Sequence, residues 1–310
     1  MKLFDLHCDT ATRLLSEKQG LYDNDFHISI SKANYLESYA QLMAVWSHYK
    51  LNDREAYEVF FKVVENLKKE IEANEGSVGL AKCSQDISLL LSQEKMPLIL
   101  AVEDARILEN NIERLNILHD LGVRALTLNW YGSTCIGGAH DTHQGLTRFG
   151  AEVVHRCFEI GIIPDISHSS FEGASMALDI AEKHQKPLIA SHSDSYSVNP
   201  HTRNLRDEDF YRIKKLGGLV GINLCPEHLS SKSPADINSI MLHIEHYLSL
   251  GGEDCLAMGG DLDGTSLPEG FAGVGDIHKI ADAMQRINYT DELINKILFE
   301  NAHSFFIKNI

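Results

Sequence analysis

Leu3-Phe4-Asp5-Leu6-His7-Cys8-Asp9-Thr10 opens the chain with a short apolar run that ends in a histidine and an aspartate. The run reads as a strand. Alternate side chains of a strand share a face, so His7 and Asp9 are expected to point one way and Cys8 the other. The turn after it decides the architecture. An open nucleotide-binding sheet carries a glycine-rich phosphate loop at its first strand-to-helix turn. His-Cys-Asp-Thr has no glycine, so that reading has no support.

Outward from this stretch, short apolar runs alternate with helical patterns. Further strands are expected at Leu42–Trp46, Leu98–Val102, Ala125–Leu128, Ile162–Ile166, Leu188–Ala190, Leu219–Leu224 and Leu256–Met258. A helix from Glu55 to Ala73 is carried by Val59, Phe60, Val63, Val64, Leu67 and Ile71 at helical spacing. Others are expected near Ala105–Leu121, Ala151–Ile160, Gly173–His184, Asp207–Leu216 and Asp236–Leu250, with two more after Asp276. Eight strands, each followed by a helix, in 310 residues is the pattern of a closed (β/α)8 TIM-type barrel, read as one catalytic domain over residues 1–310.

Composition narrows the partners. With 28 basic against 44 acidic residues the net charge is −16, which argues against nucleic acid or an anionic membrane as partner. No apolar run approaches the roughly 20 residues that span a bilayer. Asp5 and His7 interrupt the start too early for a signal peptide, so the expected location is cytoplasmic. The 6 cysteines are scattered without a Cys-x-x-Cys pair, which fits reduced thiols. The sequence leaves a homodimer open.

In such barrels the chemistry sits at the C-terminal strand ends. Those ends carry His7 and Asp9, Glu103, Asn129-Trp130, Asp165 with His168, His192, and Asp261 with Asp263. Three histidines with several carboxylates exceed what one catalytic zinc takes, and suit two metals about 3.5–4 Å apart. In this reading Glu103 bridges, His7 and Asp9 hold one ion, and His168 and His192 hold the other. A water shared by the ions then loses a proton near neutral pH. Asp261 is the candidate carboxylate to orient that water and carry its proton to a leaving amine. Asp263 lies two residues further out and is expected to support the ligands, as is Asp165.

The chain resembles the membrane (renal) dipeptidases and their soluble bacterial relatives, the peptidase M19 group of metallo-dependent, amidohydrolase-like barrels. The resemblance rests on Asp5-Leu6-His7-Cys8-Asp9, Ala101-Val102-Glu103, Gly145 to Gly150 with Glu152-Val153-Val154, and Asp165-Ile166-Ser167-His168-Ser169. It continues through Ser191-His192-Ser193, Tyr196-Ser197, Arg203-Asn204-Leu205 with Asp207, and Gly259 to Gly264, in order over nearly the whole chain. It implies a two-zinc dipeptidase with ligands at His7, Asp9, Glu103, His168 and His192, and a proton-handling aspartate at Asp261. Arg203 matches the arginine that grips the dipeptide's C-terminal carboxylate.

Trp130 departs from the pattern, because eukaryotic members carry a substrate-contacting histidine there. Indole donates one hydrogen bond and carries no charge. Asn129, His140 and His143 are nearby alternatives. Two rival readings follow. One is another dimetal amidohydrolase acting on N-acyl amino acids, lactams or esters, and the other is a non-catalytic metal-binding protein. His243 and His246 are read as a solvated helix face.

Overall fold

A computed structural model describes residues 1–232 and 234–310. Its sheet has nine strands: β1 (Lys2–Cys8), β2 (Ser38–Trp46), β3 (Val78–Leu80), β4 (Met96–Glu103), β5 (Val123–Thr127), β6 (Ile163–Asp165), β7 (Ile189–Ala190), β8 (Leu219–Ile222) and β9 (Leu256–Met258). Every pairing is parallel. β1 pairs with both β2 and β9, and β2 pairs with β4, so eight strands close into the expected (β/α)8 barrel. β3 is the addition. It is only three residues long, pairs with Met96–Leu98 of β4, and has no sequence pattern of its own.

The strands read as unbroken apolar runs because both of their faces are covered. Phe4, Leu6, Leu42, Ile99 and Ala101 fill the barrel interior, while Leu3, Met43, Leu100 and Val102 pack outward in the layer between strands and helices. The C-terminal helix Asn301–Asn309 closes the bottom: Phe306 stacks on Phe4 at 5.2 Å between ring centroids, with Phe299 and Phe305 beside them. Truncating a buried phenylalanine such as Phe306 costs about 3–5 kcal/mol through lost burial and the cavity left behind. With the N-terminal end plugged, only the C-terminal ends of the strands are available for a site.

One expected helix divides. Ala105–Leu121 is a 3₁₀ turn at Ala105–Leu108 followed by a helix at Arg114–Leu121. Glu109 and Asn110 between them take left-handed backbone, at φ 49° and 56°, which no helix continues through. His243 also departs from expectation. It is buried, accepts the Ser195 N–H and contacts the Leu229 carbonyl, whereas His246 pairs with Asp207 at 2.9 Å.

Candidate metal centre

The strand ends reach one place by irregular backbone. The pairing register of β1 shifts between Asp5 and Cys8. Phe4 and Leu6 both face the barrel interior, yet Cys8 packs outward with Leu3. Asp9 is no longer on the strand: it precedes helix Thr10–Glu17 as its N-cap residue, without a capping bond of its own. His7 and Asp9 therefore share a side as expected, but through a bulged strand end and a helix start rather than strand alternation. Glu103 is the last residue of β4. His168, Asp261 and Asp263 follow β6 and β9 in left-handed backbone, at φ 67°, 52° and 71°. Such conformations cost non-glycine residues roughly 1 kcal/mol or more and concentrate at functional sites.

All five expected ligands and Asp261 come together. The two oxygens of Glu103 face different partners. Oε1 lies 2.9 Å from His168 Nε2 and 3.5 Å from His192 Nε2, while Oε2 lies 3.6 Å from His7 Nε2. His7 Nε2 is also 3.6 Å from Asp9 Oδ2 and 4.0 Å from Asp261 Oδ1. His168 and His192 bring their Nε2 atoms within 2.9 Å. His7 Nε2 and Asp9 Oδ1 are buried without a hydrogen-bond partner. Two clusters meet the geometry of a metal cradle, His7 with Glu103 and His192, and His7 with Asp9 and Asp261. Gly264 leaves room for them, since a Cβ there would collide with both Asp9 Oδ2 and Asp261 Oδ1.

Two buried carboxylates brace these ends in the same manner. Asp165 accepts the backbone N–H groups of Ser167 and Ser191, both at 2.9 Å, and the hydroxyls of Thr127 and Ser191 at 2.7 and 2.5 Å. It thus links β5, β6 and the end of β7. The Ser191 hydroxyl spends its proton on Asp165, so Ser191 Oγ accepts from His192 Nδ1 at 2.6 Å. That leaves His192 Nε2 with a lone pair aimed at Glu103 and His168. Asp165 therefore orients His192, not His168. Asp5 repeats the device from β1, accepting His7 N–H at 3.0 Å, Gly260 N–H at 2.8 Å and Gln41 Nε2 at 2.9 Å. Sequence reading missed Asp5. Its signal was the repeated spacing of a strand aspartate two or three residues before a histidine.

Asp263 turns away from the histidines. It accepts the Thr10 hydroxyl, the His27 N–H and Arg13, and so ties the loop after β9 to the first helix.

Arg203 is buried and makes no ion pair among the described residues. Its Nη1 donates to Ser193 Oγ at 3.1 Å and Nη2 to the His192 carbonyl at 3.0 Å, while Nε has no partner. A cavity of about 340 Å³ opens over the centre, lined by Asp9, Trp46, Glu103, Trp130, His228 and Asp261 among others. Trp130 packs edge-on to Trp46 at 5.1 Å and lies 6.3 Å from the His168 ring, forming an aromatic wall. Of the alternatives to it, His143 is almost fully exposed and Asn129 is occupied by the Gly137 carbonyl. His140 lies 6.1 Å from His168, ring to ring.

Electrostatics follows burial. Burial raises Glu103 to about 7, with the Asp9 charge adding to it. Burial raises Asp261 to about 8, opposed by His7 and reinforced by Asp9 and Glu103. Burial disfavours charge on His7, but Glu103 and Asp9 outweigh it and hold its pKa well above the usual value. His168 and His192 are driven well below theirs by burial and then by the Arg203 and neighbouring histidine charges, so both stay neutral, as ligating imidazoles must.

A profile of the membrane dipeptidases, peptidase family M19, matches residues 1–306. The chain belongs to that family. As an M19 member it falls in a family of metal-dependent peptidases, so the expected class, a metallohydrolase, is met. This M19 chain is 30% identical over 252 residues to dipeptidase tcpJ of Claviceps purpurea, covering 78% of the chain but only 58% of that longer protein. The fold matches a solved M19 metallopeptidase, dipeptidase AC, with a TM-score of 0.91 at 24% identity, covering 100% of this chain and 98% of that one. It also matches a Rhodobacter sphaeroides metallopeptidase liganded with a phosphinate mimic of L-Ala-D-Ala, with a TM-score of 0.89 at 23% identity, covering 100% and 99%.

Proposed function

We propose that the protein is a two-zinc dipeptidase. The observation that carries this reading is the split orientation of Glu103, with one oxygen toward His168 and His192 and the other toward His7. His7, Asp9 and Glu103 Oε2 would hold one ion, and His168, His192 and Glu103 Oε1 the other. The buried, unpartnered His7 Nε2 and Asp9 Oδ1 fit that assignment, since such atoms are costly unless a ligand satisfies them. Bound there, the ions would acidify a water near neutral pH and polarise the scissile carbonyl.

The chain's own groups divide the remaining work. Arg203, buried without a counter-charge, receives the dipeptide's C-terminal carboxylate through a planar fork that Lys cannot reproduce. Asp261 stands 4.0 Å from His7 Nε2 on the side of Asp9 and holds its proton to about pH 8 in the metal-free site. With the ions bound, their charge would displace that proton, and the ionised Asp261 would be placed to take a proton from the attacking water and pass it to the departing amine. Trp46 and Trp130 form an aromatic wall of the cavity against which a substrate side chain can pack.

The test is turnover by zinc-loaded protein of L,L and L,D dipeptides beside N-acyl amino acids and β-lactams. Cleavage of free dipeptides, abolished in Asp261→Asn with metal content retained, supports the reading. Turnover of N-acyl amino acids or lactams alone would transfer it to the second reading, a different dimetal amidohydrolase, which Trp130 in place of a charged donor favours.

A further inference from the structure

Beside Arg203 stand two imidazoles whose hydrogen bonding fixes where their protons lie. The backbone N–H of Arg203 donates to His201 Nδ1 at 3.2 Å. A neutral His201 must then carry its proton on Nε2. For His228 the argument runs through Asn223. The Asn223 side-chain oxygen accepts Cys225 N–H at 2.7 Å, and its nitrogen donates to the His192 carbonyl at 3.2 Å, which sets the amide's orientation. The same Asn223 nitrogen faces His228 Nδ1 at 3.4 Å, so the His228 proton also lies on Nε2.

These two donors have no protein acceptor among the described residues. The rings lie 4.9 Å apart, centroid to centroid. His228 lines the cavity over the metal centre, and His201, its ring beside that of His228, lines a second groove together with Glu227 and Lys232. Burial and the Arg203 charge drive His228 down to about 2 and lower His201, so both remain neutral donors. Arg203 keeps enough free N–H groups to grip one carboxylate by itself, since Ser193 and the His192 carbonyl take only one bond each. The histidine donors are surplus to that grip.

We propose that His201 and His228, beside Arg203, form an anion-binding face that selects dipeptides whose C-terminal residue carries a second carboxylate, aspartate or glutamate. This rests on the dipeptidase reading for the orientation of the substrate. The α-carboxylate meets Arg203, and the side-chain carboxylate reaches the two Nε2–H donors in the Arg203 field. Bonds to an ionised acceptor are roughly twice as strong as those to a neutral one, so glutamate is favoured over glutamine about tenfold.

The test measures kcat/KM of the zinc-loaded enzyme for Ala-Glu, Ala-Gln and Ala-Met, and the binding of the same peptides to zinc-loaded Asp261→Asn. His201→Asn and His228→Asn keep an acceptor at the Nδ1 position and delete the distal donor. His228→Gln returns a donor near the Nε2 position. The expected result is a Glu-over-Gln ratio near ten that falls toward one in each Asn variant and partly recovers in His228→Gln. A ratio near one in the unaltered enzyme, or a preference that survives both Asn variants, overturns the proposal. Preferential binding of Ala-Glu without turnover of any dipeptide upholds the anion face and overturns the peptidase reading instead.

Discussion

His168 and His192 aim their Nε2 atoms at one another across 2.9 Å, with Glu103 Oε1 2.9 Å from the first and 3.5 Å from the second. The Asp165–Ser191 chain makes His192 Nε2 a bare acceptor, and Glu103 is an acceptor when ionised. His192 Nε2 and Glu103 Oε1 thus present two acceptors to the His168 ring, an arrangement that a shared cation would satisfy. Metal analysis of zinc-reconstituted protein is expected to give close to two ions per chain. His168→Ala is expected to give close to one, with loss of activity. A fully loaded His168→Ala protein would remove that histidine from the centre.

Asp165 and Ser191 set the tautomer and aim of His192. Removing such a support costs about 10–100-fold in metal affinity. Ser191→Ala deletes the relay while leaving the Asp165 bonds to Ser167 and Thr127 intact. Chelator competition is expected to show one weakened ion and one unchanged, with activity restored by excess zinc. Equal weakening of both ions would mean general loosening rather than loss of this relay.

The raised carboxyls predict a pH dependence with a definite sign. In the metal-free protein Glu103 sits at about 7 and Asp261 at about 8, above their unfolded values near 4, and His7 is also raised. A group with a raised folded pKa contributes stability that is present below its unfolded pKa and lost as pH rises through the folded one. Metal-free protein therefore loses stability from the two carboxyls between about pH 4 and 8, whereas metal displaces their protons. The gap in Tm between zinc-loaded and metal-free protein is expected to widen from pH 6 to 8. Titration calorimetry in buffers of different ionisation enthalpy is expected to report protons released on loading. A constant gap with buffer-independent heat would contradict the assignment.

The barrel and its polar rim were legible because both are local: an apolar run ending in His, Asp or Glu shows itself within a few residues. Bracing was not, because Asp5 meets Gln41 and Gly260, and Asp165 meets Thr127 and Ser191, only after the strands pair. Nor was the path of Asp9, which depends on a shift in strand register that apolar alternation does not encode. His243 was misread for a related reason. Its helix looks amphipathic with a polar histidine, yet backbone groups of Ser195 and Leu229 arrive to satisfy both ring nitrogens.

Gly264 offers a test that separates the site from the fold. Its φ is not in the left-handed region, so alanine meets no backbone penalty there. The obstacle is the site itself, since the new Cβ collides with Asp9 Oδ2 and Asp261 Oδ1 and forces both carboxylate ends to turn aside. Gly264→Ala is expected to displace both carboxylates, weakening the ion held by His7 and Asp9 and lowering kcat at least tenfold. Metal-free stability should change by under about 1 kcal/mol, because no strand or core contact is disturbed. A metal-free protein that fails to fold would show that the glycine serves the chain turn rather than the space between the two aspartates.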